Sequence, residues 1–186
     1  MSRKLITALI SLFFVYLAPV SAFAVTISYT SAFLGNNEWR NDYSLAAQAG
    51  DPTVRELTIY FDRNLYSNLS VAGSPPDWDS LVAQSDPAIP ADGFFDSLSL
   101  NGGLPPGALQ DGFSVLFTFL GASKPGNQLF EIVDPETFAT LAQGLTHPLG
   151  TPPVDVPEPK TAVLDLVGLA VLLFSTRRFS RNSTGA

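Results

Sequence analysis

The chain has 186 residues, a formal net charge of −7, one histidine and no cysteine. With no cysteine there is no disulfide and no thiolate chemistry, so stability must come from packing, and zinc–thiolate sites and cysteine nucleophiles are excluded. Basic residues crowd the two ends: from Val25 to Pro159 only Arg40, Arg55, Arg63 and Lys124 stand against sixteen acids, a balance of −12 that excludes nucleic acid as a partner.

In chain order, Arg3 and Lys4 come first, followed by an apolar stretch from Leu5 to about Val20 and the small-residue site Ala22-Phe23-Ala24. This is the pattern of a secretory signal peptide over residues 1–24, taken by the Sec translocon and cleaved by signal peptidase after Ala24, with Ala22 and Ala24 as the recognised residues. The apolar run is shorter than the ~20 residues of a spanning helix and closes on Pro19, which disfavours a retained anchor.

Next comes a region of period-two hydrophobicity. Leu57, Ile59 and Phe61 alternate with Thr58, Tyr60 and Asp62, and Phe113, Val115, Phe117 and Phe119 alternate with Ser114, Leu116 and Thr118. Alternation of this kind gives a strand with one face buried. Further strands are expected at Val25–Phe33, Glu38–Ala46, Tyr66–Val71, Gly93–Leu100 and Gln128–Val133, punctuated by turn clusters such as Gly35-Asn36-Asn37 and Gly73-Ser74-Pro75-Pro76. The fold class is mainly β, an antiparallel β-sandwich over 25–146. One short helix is expected at Pro135–Ala142, with Asp134 as its cap and Pro135 in its first position.

From Gly144 the density of Gly, Thr and Pro marks a linker, and residues 147–160 are assigned as a Pro-rich connection containing Pro157-Glu158-Pro159. Two prolines around Glu158 hold the backbone extended and non-helical. Residues 161–176 form an apolar run, about 24 Å long as a helix against a hydrocarbon core of about 30 Å. A transmembrane helix this short is expected to span by thinning the bilayer or by snorkelling of Arg177 and Arg178, with Asp165 one turn inside its start. The basic tail 177–186, with Arg177, Arg178 and Arg181 as membrane stop, stays cytoplasmic, as does the basic N-terminus, so everything between Val25 and Pro159 is exported.

The ordered triad of Pro157-Glu158-Pro159, short hydrophobic helix and Arg177-Arg178 resembles a PEP-CTERM sorting signal, found on exported proteins of exopolysaccharide-producing Gram-negative bacteria. The resemblance implies that the membrane protease-transpeptidase exosortase acts near Pro157, Glu158 and Pro159 and removes the helix. Lys160 and Asp165 depart from that pattern, which has small polar residues after the motif and an uncharged helix. Trp78-Asp79, Ala91-Asp92-Gly93-Phe94-Phe95-Asp96, Gly112-Phe113-Ser114-Val115 and Phe130-Glu131-Ile132-Val133-Asp134-Pro135 also resemble a recurring β-rich module of PEP-CTERM proteins whose activity is undetermined. The resemblance thus implies an exported cell-surface or extracellular-matrix protein, held transiently in the inner membrane. Its expected partners are exosortase, signal peptidase, the Sec translocon and exopolysaccharide.

No residue is assigned a catalytic role, and no cofactor or metal site is assigned. His147, the only histidine, stands where the linker begins and is expected to be exposed rather than to serve a triad. The preferred role of the domain is structural or adhesive and non-enzymatic. Two other classes stay open. One is a carbohydrate-active hydrolase using an Asp/Glu pair, with Asp77, Asp79, Asp92 and Asp96 as nearest candidates; the other is a calcium-dependent binding module. Trp39 and Trp78 either form an exposed sugar platform or sit in the core, and Trp39 shares a strand face with Tyr43 and Leu45, which favours burial.

Overall fold

The computed structural model describes residues 24–86 and 88–151. Residues 1–23 of the signal peptide with Ala22, the Pro157-Glu158-Pro159 motif, the 161–176 run and Arg177, Arg178 and Arg181 lie outside the described residues. The described residues form ten strands: β1 (Thr26–Gly35), β2 (Glu38–Ala46), β3 (Glu56–Phe61), β4 (Tyr66–Gly73), β5 (Trp78–Ala83), β6 (Gly93–Ser99), β7 (Leu109–Phe119), β8 (Leu129–Val133), β9 (Thr140–Leu145) and β10 (His147–Pro148). They build two five-stranded sheets, ordered β10-β1-β2-β7-β4 and β5-β6-β3-β8-β9. Every pairing is antiparallel except β1 with β10, which is parallel.

The two apolar faces meet as the alternation requires. Leu57, Ile59, Phe61, Phe95, Phe130 and Ile132 from the second sheet are buried with Ile27, Tyr43, Leu45, Phe113, Val115 and Phe117 from the first. Rings interlock across the interface: Phe61 lies 5.8 Å from Phe117, and Trp78 meets Phe113 edge-on at 5.1 Å. Such pairs add about 0.5–1.5 kcal/mol each beyond the area they bury. The β1–β2 hairpin turns on Asn36 (φ 50°) and Asn37 (φ 62°), a two-residue loop with both central residues left-handed, which matches the twist of the flanking strands.

A polar knot ties the sheets together at one end. Gln128 is buried, and its Oε1 accepts from Tyr43 Oη (3.2 Å), Thr146 Oγ1 (3.1 Å) and Asn41 Nδ2 (3.5 Å). Its Nε2 donates to Tyr66 Oη (2.9 Å) and to the Gly126 carbonyl. Tyr43 and Tyr66 belong to the first sheet, whereas Gln128 and Thr146 flank β8 and β9 of the second. Every buried polar side-chain atom among the described residues has a partner.

Three sequence expectations are corrected. The helix over Pro135–Ala142 does not form: Pro135–Thr137 is a turn, and β9 begins at Thr140. Asp134 does act as a cap, its Oδ1 accepting from the amides of Glu136 (2.8 Å) and Thr137 (3.2 Å), but Phe138 at φ 57° then reverses the chain. Two helical turns are too short to be stable alone, while the β8–β9 ladder buries part of Leu141 and Ala142 against the core. The expected linker from Gly144 starts too early, because Gly144 and Leu145 belong to β9 and Thr146 is fully buried. The assigned boundary at 146/147 likewise falls inside the sheet, since His147 and Pro148 pair with Ser28 and Tyr29. Finally, β5 is a strand where none is expected from the sequence, because Pro75, Pro76, Asp77 and Asp79 mask the alternation of Trp78, Ser80 and Val82.

Candidate functional site: the solvent face of the second sheet

In the second sheet, alternate positions lie on the outer face, Thr58 among them although it is buried, and register places them in rows across the strands. Ala83 pairs with Phe94, and Phe94 with Tyr60. Leu129, one step beyond the Ile59–Phe130 pair, is opposite Leu145. Ala83, Phe94, Tyr60, Leu129 and Leu145 thus form an apolar row spanning all five strands, about 19 Å at ~4.8 Å per strand. The Tyr60 and Phe94 rings lie 6.5 Å apart and half-buried, while Leu129 and Leu145 are 45% and 58% exposed.

A polar row runs beside it, about 6.8 Å along the strands. Leu81 pairs with Asp96, Asp96 with Thr58, Thr58 with Glu131, and Glu131 with Gln143. Thr58 Oγ1 donates to Asp96 Oδ1 at 2.8 Å, and Tyr60 Oη donates to Glu131 Oε2 at 3.0 Å, so the two rows are braced against each other. Burial pushes the Asp96 carboxyl above the usual carboxylate range, partly offset by the Thr58 hydroxyl. Glu56, in the next row, is raised by burial and then by repulsion from Asp96 and Asp134. The Tyr60 phenol is pushed up to about 12 by burial first and the Glu131 contact second, and stays a neutral donor.

None of the five strands carries Lys or Arg. The two nearest cations in sequence are engaged at the ends of β3: Arg55 pairs with Glu136 at 2.7 Å, and Arg63 donates to the Pro90 carbonyl. The face is therefore a surface of apolar rings and leucines beside carboxylate and amide acceptors, without a compensating positive charge on its strands.

The residues singled out from sequence do not converge. Asp77 and Asp79 lie exposed near the start of β5, while Asp92, accepting from the Arg63 amide, is at the opposite end of the β5–β6 hairpin. Only Asp96 belongs to the polar row. Among the described residues no three His, Asp or Glu side chains are grouped to hold a metal ion. His147 is half-buried in β10 with Nδ1 3.3 Å from the Pro148 carbonyl, not free in a linker. Trp78 is a core residue, as favoured. Trp39 does share its face with Tyr43 and Leu45 but is only half-buried, its ring 5.1 Å from exposed Phe33. The two tryptophans lie in different sheets and form no common platform. Ala24 is exposed, and its amide donates to buried Asp51 at 2.8 Å.

The first sheet offers a second depression of about 160 Å³, lined by Ser28, Thr30, Asp42, Ser44, Asp111 and Leu149 among others. Its carboxylates are already engaged: Asp42 by Arg40 (3.1 Å) and Ser114 (2.7 Å), and Asp111 by Ser44. At well under the ~300 Å³ of ordinary ligand pockets it is too small for a sugar ring with its shell of contacts.

No family model and no curated protein matches the sequence. Among solved structures, the chain is similar to the chitin-binding domain of Chi18aC from Streptomyces coelicolor, with 19% identity, TM-score 0.36, and 57% of this chain and 89% of that one covered. It is also similar to a family 3b carbohydrate-binding module from the biomass sensoring system of Clostridium clariflavum, with 10% identity, TM-score 0.40, and coverage of 63% and 94%. A GH20 exo-β-N-acetylglucosaminidase from Vibrio harveyi matches at 10% identity and TM-score 0.35, over 72% of this chain and 20% of the enzyme. Likenesses this loose leave ligand and activity to be argued from the residues of this chain.

Proposed function

We propose that the protein is an exported, surface-held module with no catalytic activity of its own. Its signal peptide is removed after Ala24, and a PEP-CTERM tail carries it transiently in the inner membrane until exosortase acts at Pro157-Glu158-Pro159. The sandwich then serves at the cell surface or in the extracellular matrix, in a structural or adhesive role beside exopolysaccharide.

The observation that supports a non-catalytic domain most directly is the way its acids and its interior are used. The space between the sheets is filled by aromatic and aliphatic side chains, and the buried polar groups there are bonded to one another, in the Gln128 knot and in the Ser80–Ser97 pair. The suspect carboxylates are spread over the surface, whereas acid–base catalysis on a glycosidic bond needs two of them facing one another across a substrate. Support for the sorting route is the order of the tail itself: extended proline motif, short apolar run, arginine stop.

The test is fractionation of the native host. Replacing Pro157, Glu158 and Pro159 by alanine is expected to trap the protein in the inner-membrane fraction with its tail uncut, while the wild type leaves that fraction. Equal distribution of both forms overturns the sorting route. Release of reducing ends from the host polysaccharide by the purified protein overturns the non-catalytic reading.

A further inference from the structure

We infer that the solvent face of the second sheet binds an extended, non-anionic glycan laid across the strands, its pyranose C–H faces on the Phe94-Tyr60-Leu129-Leu145 row and its hydroxyl or amino donors on Asp96, Glu131 and Gln143 of the adjoining row, where Thr58 itself is buried. This gives the proposed adhesive role a surface and a ligand class, and it rests on that reading.

The apolar row carries the argument. On the outer face of a sandwich, alternation normally places polar residues, yet here two aromatic rings and two leucines line up across the sheet, with Leu81 (52% exposed) standing at one end of the neighbouring row. Fold stability does not call for these leucines, since the core is closed on the opposite face. The occupant must cover an apolar strip about 19 Å long and, on one side only, satisfy acceptors. A pyranose chain is amphipathic in that sense, with C–H patches on its ring faces and donors around its rim. An extended β-linked chain also advances by roughly one strand spacing per ring, so successive rings meet successive strands.

Charge selects among occupants. Asp79, Asp96, Glu56 and Glu131 share the face and no strand of the sheet bears a cation, so a uronate or sulfated polymer is repelled. A second copy of this chain, docked face to face, brings the same carboxylates against one another and is disfavoured for the same reason. A neutral or amino-bearing sugar chain meets neither penalty. The braces between Thr58 and Asp96 and between Tyr60 and Glu131 hold the acceptors in place before binding, which lowers the ordering cost that weakens flexible sites.

The test is co-sedimentation of the full chain, kept in mild detergent, with three solid glycans: a neutral β-1,4-glucan, a β-1,4-glucosamine polymer, and a polyuronate on beads, with bare beads as control. Retention by the glucan or the glucosamine polymer and not by the polyuronate is expected. The Leu129→Ala/Leu145→Ala variant should lose about tenfold in affinity with an unchanged melting temperature. Phe94→Ala should lose at least as much; should that variant fail to fold, Leu81→Arg with Leu145→Arg interrupts the exposed positions without touching a core residue. Glu131→Gln, which keeps an acceptor for Tyr60, should shift preference from the glucosamine polymer toward the neutral glucan. Retention by the polyuronate alone, retention by none of the three, or binding indifferent to the leucine variants overturns the inference. Because the assay uses purified protein, it fails or succeeds independently of tail processing in the host.

Discussion

Gln128→Leu is the sharpest perturbation of the folded domain. The side chain is 3% exposed, and its Oε1 is the acceptor for the hydroxyl protons of Tyr43 and Thr146, while its Nε2 serves Tyr66 and Gly126. Leucine fills much of the same volume but can accept nothing. Tyr43 still receives a hydrogen bond from Asn41 Nδ2 (3.1 Å), yet its own proton is stranded, and burial holds that phenol far above its usual range, so it cannot escape by ionising. Two stranded hydroxyl protons at about 1–3 kcal/mol each, partly offset by the added apolar contact, give a loss of about 3–4 kcal/mol. That is a large part of the 5–15 kcal/mol typical of a whole domain. With urea m-values of about 1–3 kcal/mol/M, the unfolding midpoint should fall by about 1–4 M. Combining Gln128→Leu with Tyr43→Phe removes one stranded proton together with its acceptor, so the double variant should lose less than the sum of the singles. A midpoint within error of wild type, or strict additivity, would refute the knot as the tie between the sheets.

Three smaller predictions follow from local geometry. A Cβ at Gly144 would stand 2.9 Å from the Phe130 ring edge, so Gly144→Ala should cost about 1–3 kcal/mol in thermal or urea unfolding, as overpacking does. Because the Asp96 carboxyl is raised above its ordinary 3.8 in the folded protein, its contribution to stability falls as pH rises upward from about 3.8, and Asp96→Asn should flatten that part of the stability–pH curve measured by melting temperature. Acrylamide should quench Trp39 much more than Trp78, so Trp39→Phe should remove most of the quenchable fluorescence and leave a blue-shifted, protected emission.

Much of the sandwich was legible because burial on one face writes a period of two into the chain. β2 has the expected ends, and the Leu57–Phe61 and Phe113–Phe119 alternations became the interior strands β3 and β7. Edge strands were harder. β5 and β9 each have one ladder partner, so they tolerate prolines and acids close by and a glycine within, and their apolar signal thins accordingly. At Pro135–Ala142 the cap chemistry was real, but it closes a turn, because local capping cannot outweigh pairing with a strand already in place. The site was illegible for a different reason. Tyr60 and Phe94 are far apart in sequence, and only register brings them opposite each other; the one local clue was the Phe94-Phe95 doublet, of which an alternating strand buries a single member.

Intact-mass spectrometry of the protein recovered from the surface or medium of its host directly tests whether the domain is exported and released from a temporary membrane tether. The predicted species begins at Val25 and ends before Thr161. A secreted form that still carries the 161–186 segment would contradict it.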